Sequence, residues 1–369
     1  MSISTRTPTS YRQARRLIRT PGQIVAAVIS IVLLVAIPLI LQSREFFGIK
    51  LDNAATLGIG LPQLNLALIA VLAAIPLNLL VGMTGLISLG QAAFFAVGAF
   101  SAGLFGTQLG LPFPLVLLIA GVLGAVVGLL VGLPSLRLNG LYLMLATLAL
   151  HFVVIFLFTQ YQIANFSPAG IPFAPPTVGD FAFDKEDKWY WLLLVLAVLL
   201  ILGVRSLMRS RHGRAFIAVR DNEIAAASLG INVARTRIVS FSFTSFLVSV
   251  VGALFAYYLG NIGESSFGLT FVVGYFAMIL IGGMGSLAGP VFGALFWTLV
   301  PSILQTLSGG VPKDLPFIGP LLGGYQGQIV LVLMGIVILV LLRFQPGGLN
   351  ALWQKVKGVF IRWPYKAKS

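Results

Sequence analysis

"AGVLGAVVGLLVGLP", residues 120 to 134, contains no charged side chain, and its glycines fall at Gly121, Gly124, Gly128 and Gly132. Spacings of three and four lay these glycines along one face of a helix, a smooth strip that another helix can approach closely. The strip is a packing signal and by itself names no function. Nothing in the stretch alternates with period two, so it reads as a helix and not as a barrel strand. Working outward, comparable apolar runs recur from "IVAAVISIVLLVAIPLIL" at residues 24–41 to "IVLVLMGIVILVLL" at 329–342. About 20 such residues cross a bilayer core. The 369-residue chain is 58% hydrophobic and 9% charged, with a mean hydropathy of +1.00. These features predict an all-α integral membrane protein. Ten candidate spans follow, at 24–41, 61–82, 86–109, 113–133, 140–159, 189–207, 237–260, 268–285, 290–307 and 325–343. Pro38 and Pro76 lie within spans and are expected to bend them.

Charge sets the expected orientation. With the N-terminus inside, the inner segments carry 19 of the 24 Lys and Arg but only Asp221 and Glu223 of the ten acids, so the inner side totals +17 and the outer side −3. Both termini are therefore expected in the cytoplasm, with basic tails at 1–23 and 344–369 flanking a membrane domain at 24–343. The run at 24–41 is longer than a signal-peptide core and is followed by Gln42, Ser43, Arg44 and Glu45 with no small-x-small cleavage pattern, so it reads as a retained first helix. Lipid headgroups account for the +14 net charge. Nucleic acid is not implied, because the basic tails carry no ordered aromatic residues for stacking. The largest outer loop, about 160–188, holds "FSPAGIPFAPPTVGDFAFDKEDK" and reads either as a cap or as a contact for something outside.

Several chemistries are excluded. There is no cysteine, the histidines are His151 and His212 alone, and the acids lie almost entirely in loops. No catalytic triad, carboxylate pair or metal cluster can be assembled from these, and no cofactor is implied. His151 is the one titratable group well inside a span, readable as a hydrogen-bonded core histidine or as a contact for solute or protons. Two segments interrupt apolar sequence with Gly and Ser: "GMTGLISLGQAAFF", Gly82 to Phe95, and "IGGMGSLAGPVFG", Ile281 to Gly293. Aligned on Ser88-Leu89 and Ser286-Leu287, they also match Gly85 with Gly283 and Phe94 with Phe292. Irregular backbone at such places exposes amides to a polar solute or forms a tight turn between helices. Ser88, Gly90, Gln91, Gly283 and Ser286 are the pathway candidates, with Thr147 and His151 beside them.

The longest polar stretch of the second half is "VRDNEIAAASLGINVARTR", residues 219–237. Asp221 suits an N-cap, Glu223 a first turn, Ala225 to Ala227 propagation and Gly230 a stop. The reading is a cytoplasmic helix of two to three turns, shaped to fit a groove on another protein. Arg214, Arg220, Arg235 and Arg237 flank it, available to headgroups or to a partner's acids.

"GRAFIAVRDNEIAAASLGINVARTRIVSF" resembles the EAA loop of ABC importer permeases. Ala225, Ala226 and Gly230 keep that motif's spacing, while Glu223 stands one residue early because Ile224 intervenes. With "GMTGLISLGQAAFFAVGAF", "LPSLRLNGLYLMLATLAL" and "MILIGGMGSLAGPVFGAL", the chain from about 60 to 345 resembles branched-chain amino-acid permeases of the LivM type. The resemblance implies a passive subunit of a bacterial inner-membrane importer. It would pair with a homologous second permease, two ABC ATPase subunits and an extracytoplasmic solute-binding protein, and would move branched-chain or other neutral amino acids into the cytoplasm. The coupling loop, 208–236, would meet the ATPase through Arg220, Asp221, Asn222, Glu223, Ala225, Ala226, Leu229 and Gly230. ATP hydrolysis would reside in the partners, since no G-x-x-x-x-G-K-S/T loop occurs here. Rival readings are a urea or short-amide permease of the same architecture and a stand-alone carrier or channel. A membrane enzyme would need an acid or histidine cluster.

Overall fold

The computed structural model describes residues 58–138, 140–309, 326–344 and 347–362, with Pro38 and the residue pairs 45–46 and 49–50 before them. Two units are distinguished, residues 1–55 and 56–369. In the first, β1 (Glu45–Phe46) pairs antiparallel with β2 (Ile49–Lys50). The candidate span at 24–41 lies outside the described residues except for Pro38, which is helical.

The second unit is helical. It opens with α1 (Leu61–Asn78), which runs on through a π-helical turn at Leu79–Met83. α2 (Gln91–Ala102) likewise continues as π-helix over Gly103–Gln108. Then follow α3 (Phe113–Gly132), α4 (Leu141–Asn165), the short strands β3 (Ile171–Pro172), β4 (Thr177–Val178) and β5 (Phe181–Ala182), and α5 (Glu186–Arg209). Two short helices, α6 (Arg211–Asp221) and α7 (Glu223–Ser228), precede α8 (Val233–Leu259) and β6 (Asn261–Ile262). The described chain closes with α9 (Leu269–Gly282), α10 (Gly289–Gly309), α11 (Gln326–Phe344) and α12 (Gly348–Arg362). Among the described residues, six helices are long and apolar enough to cross a membrane. Pro76 sits inside α1 directly ahead of its π turn.

α8 is the axis of the packing. At 1.5 Å per residue, its 27 residues extend about 40 Å, enough to pass the core and both headgroup layers. The glycine strip of α3 lies on it: a Cβ added to Gly124 would stand 2.8 Å from the Ser245 carbonyl oxygen, and one on Gly128 3.0 Å from that of Phe241. On its other side, Gly252 abuts the Phe95 backbone and Gly98 that of Ser249, while the Ser249 hydroxyl donates to the Phe94 carbonyl at 2.7 Å. Small residues thus bring three backbones together, the arrangement that dispersion forces favour where lipid offers no hydrophobic gain.

The turns sort into two ends. At one, the Asn65 side chain donates to Glu186 (2.7 Å), Tyr258 donates to the same carboxylate (2.9 Å), and β3 pairs with β6. At the other, the α1–α2 turn, the turn after α3, the α6–α7 loop, the α9–α10 turn and the start of α12 converge. The expected outer loop is shorter than the sequence suggested, because α4 reaches Asn165 and α5 begins at Glu186. Polar residues past 159 extend the helix beyond the apolar layer: the Gln162 amide donates to the carbonyls of Ser167 and Pro168. The remaining loop folds back on the chain, with Ile171 fully buried and the Phe173 N–H donating to the Gly260 carbonyl at 2.8 Å. Lys188 donates to Asp184 and holds its carboxyl below the usual range.

Candidate functional site

The α6–α7 loop is built from local signals. The Ser210 hydroxyl accepts the His212 and Gly213 N–H groups and starts α6. Asn222 is extended, ends α6 and caps α7, its side chain accepting the Ala225 N–H at 3.0 Å. Asp221 therefore does not cap α7 as its sequence position suggested: it closes α6, and its carboxylate accepts from Nε and Nη2 of Arg220 at 2.9 and 2.7 Å. α7 is also shorter than expected, at six residues. Gly230 does supply the stop, at φ +81°. The N–H of Gly230 reaches the Ala227 carbonyl (2.9 Å) and that of Ile231 the Ala226 carbonyl (3.0 Å), the paired bonds of a Schellman ending.

This loop has two faces. Ala226 is buried, whereas Ile224 and Leu229 are 82% and 80% exposed. Inward, Arg220 donates from Nη1 to the Gly82 carbonyl at 2.9 Å. Glu223 pairs with Arg237, whose side chain is only 5% exposed and whose Nη1 donates to the Ser135 carbonyl at 2.8 Å. Arg237 is thus not a free basic flank, as expected from sequence, but a buried cation paired within the chain through its two terminal nitrogens, its Nε lacking a partner among the described residues, while Arg214 and Arg235 are exposed. One strut therefore runs from α6 to the end of α1, and another from α7 to the base of α8 and the turn after α3.

The first strut lands on a junction. Asn78, buried in α1, donates to the Ser286 carbonyl at 2.8 Å and accepts the Gly285 N–H at 2.9 Å. The two glycine-rich segments thereby meet, and Arg220 flanks both: a Cβ on Gly85 would lie 2.9 Å from its Cγ, and one on Gly285 3.5 Å from its Nη1. The sequence alignment has a geometric counterpart. Gly85 and Gly283 both take positive φ, +75° and +103°, and Ser88 and Ser286 each accept a backbone N–H just ahead of α2 and α10. These are helix-to-helix turns, and both hydroxyls are engaged in forming them.

The remaining candidates divide. Gly90 packs against Thr147, whose hydroxyl accepts the Leu89 N–H at 3.0 Å. Phe100 stacks on Phe158 at 4.5 Å with the same 58-residue offset, so α2 and α4 run parallel and His151 stands level with Ala93. Both amide atoms of buried Gln91, and Nδ1 of buried His151, lack a hydrogen-bond partner among the described residues. Sequence reasoning passed over Asn78 and Asn65. The signal was present, since an amide inside an apolar span must find a partner helix.

Residues 61–342 match the family model described as branched-chain amino acid transport system / permease component. The chain is 30% identical over 309 residues to the high-affinity branched-chain amino acid transport system permease protein LivM of Escherichia coli K12, covering 77% of this chain and 68% of that one. A probable LivM of Methanocaldococcus jannaschii is 28% identical over 240 residues, covering 64% and 67%. A further branch is represented by the autoinducer 2 import system permease protein LsrC of Klebsiella pneumoniae, 33% identical over 193 residues and covering 50% and 53%. No solved structure matches.

Proposed function

The chain belongs to the branched-chain amino acid transport permease family, and on that premise we propose that it is the passive transmembrane subunit of an ATP-driven importer for branched-chain or other neutral amino acids. It has ten transmembrane helices and both termini in the cytoplasm, so that the α6–α7 end faces inward. The convergence of every expected inner turn among the described residues on one end supports this orientation. ATP is hydrolysed by two partner subunits, a second homologous permease completes the channel, and a solute-binding protein delivers the substrate to the end carrying β3 and β6.

One observation carries the reading: α7 presents two nearly bare apolar side chains, Ile224 and Leu229, outward while its flanks are tied inward. Exposed aliphatics on a short helix outside the bilayer cost solvation unless a protein groove covers them. The struts would convert displacement of α7 into movement of the α1–α2 and α9–α10 turns, the two-state element that alternating access requires. Ser88, Gly90, Gln91, Gly283 and Ser286 then lie where the inner gate opens, with Thr147 and His151 on the wall behind. The test is copurification. The doubly substituted Ile224→Glu/Leu229→Glu chain, expressed with its chromosomal neighbours, should retain the second permease and lose the ATPase. Undiminished ATPase recovery would refute the docking assignment.

A further inference from the structure

Among the described residues, two clefts in the bundle differ in chemistry. One, of about 290 Å³, lies between α1, α5 and α8 and is walled by aliphatic residues and phenylalanines, with Gly203. Such a groove suits an acyl chain. The other, of about 450 Å³, lies between α1, α8, α9 and α10, within the roughly 300–1,000 Å³ typical of small-molecule sites. Phe255, Phe271, Tyr275 and Trp297 wall it, and no charged residue lines it among the described residues. Yet the hydroxyls of Ser265, Ser266, Thr270 and Tyr275 and the indole N–H of Trp297 all lack a hydrogen-bond partner among the described residues. Free donors in an otherwise apolar, aromatic wall suit a ligand with a polar head and an apolar body.

Its depth is also defined. Exposed Ser265, Gly268 and Thr270 mark the mouth, at the end carrying β3 and β6, and buried Ile69, Ala70, Gly274 and Met278 mark the floor. From Thr270 to Met278 is about 12 Å along α9 at 1.5 Å per residue, less than half of an approximately 30 Å core. Below Met278, α9 and α10 pack backbone to backbone: Gly293 abuts the Met278 carbonyl and Gly282 abuts Gly289. Five residues beyond Met278 stands Gly283, at the junction that Asn78 and Arg220 hold.

We propose that this cleft is the outward-open solute vestibule of the permease and that it takes a net-neutral zwitterion with an aliphatic or aromatic side chain. The assignment rests on the importer reading. The described lining offers no charged side chain to pair with a net charge on the solute, and urea would leave most of the apolar surface uncovered. The cleft lies away from the segments that sequence singled out, which form the gate beneath it.

The cysteine-free chain permits a direct test. Single variants Ser266→Cys, Thr270→Cys and Thr298→Cys, with Gly203→Cys in the aliphatic groove as a comparison, are assembled with the second permease and the ATPase in proteoliposomes. They are then treated from outside with a membrane-impermeant methanethiosulfonate. Labelling is read on this chain alone. The three cleft cysteines should label, with L-leucine plus binding protein slowing the rate at least fivefold, and modification of Thr270→Cys should abolish leucine uptake; Gly203→Cys should not label. If wild-type complex takes up leucine with ATP while the cleft cysteines stay unlabelled, or label without protection and without effect on uptake, the vestibule assignment is overturned and the importer reading stands. If wild-type complex takes up no neutral amino acid at all, the importer reading falls and the solute assignment falls with it.

Discussion

Glu223 and Arg237 share one ion pair unequally, since the guanidinium is buried and the carboxylate is half exposed. Removing the exposed member strands the buried charge, at a cost of up to about 3 kcal/mol, whereas replacing the buried member with an apolar chain removes the desolvation penalty as well. Glu223→Ala should therefore lower the thermal midpoint of the purified complex more than Arg237→Met does; equal losses would contradict the buried-cation account. Arg220 makes a different prediction. Because its Nη1 holds the Gly82 carbonyl, Arg220→Ala should leave ATPase binding intact while reducing amino-acid uptake at least tenfold per ATP hydrolysed. An unchanged ratio of uptake to hydrolysis would remove Arg220 from the coupling path. At this scale the sequence was legible only where a residue's role is local. Gly230 announced a helix stop. The choice of Asn222 over Asp221 as cap was not legible, since both are good caps and Arg220, which occupies Asp221, decides between them.

Among elements, α3 and α7 show how short signals become mechanical parts. The glycine seam of α3 was legible because its period is fixed by helix geometry, although α8 as its partner was not. Gly124→Leu would drive a side chain into the Ser245 carbonyl and should separate α3 from α8, seen as loss of folded, monodisperse protein in detergent; normal yield and melting would deny the seam. For α7 the expected loss is functional. Nothing lies within 4 Å of a Cβ added at Gly230, so Gly230→Val meets backbone strain alone, on the order of 1–2 kcal/mol in the left-handed region. The spans should fold and the complex assemble, with transport uncoupled from ATP hydrolysis. Coupled transport at the wild-type rate would mean that the shape of the loop ending is immaterial.

For the whole molecule, hydropathy made the membrane class and most helix positions readable, because each helix must satisfy its own backbone in lipid. Charge asymmetry placed the turns on alternating sides, and those described do gather at two ends. The tertiary meeting of the glycine-rich segments through Asn78 was not readable, nor was the cleft, because both depend on helices more than 200 residues apart in the chain. On the proposed function, a passive channel is worked from outside itself, through α6 and α7. This is tested most directly by rebuilding the complex in liposomes with binding protein and labelled L-leucine and measuring uptake with and without ATP at the ATPase. Uptake should require ATP and disappear in the Ile224→Glu/Leu229→Glu chain. Leucine movement by this chain without ATP, or uptake indifferent to those two substitutions, would contradict this reading.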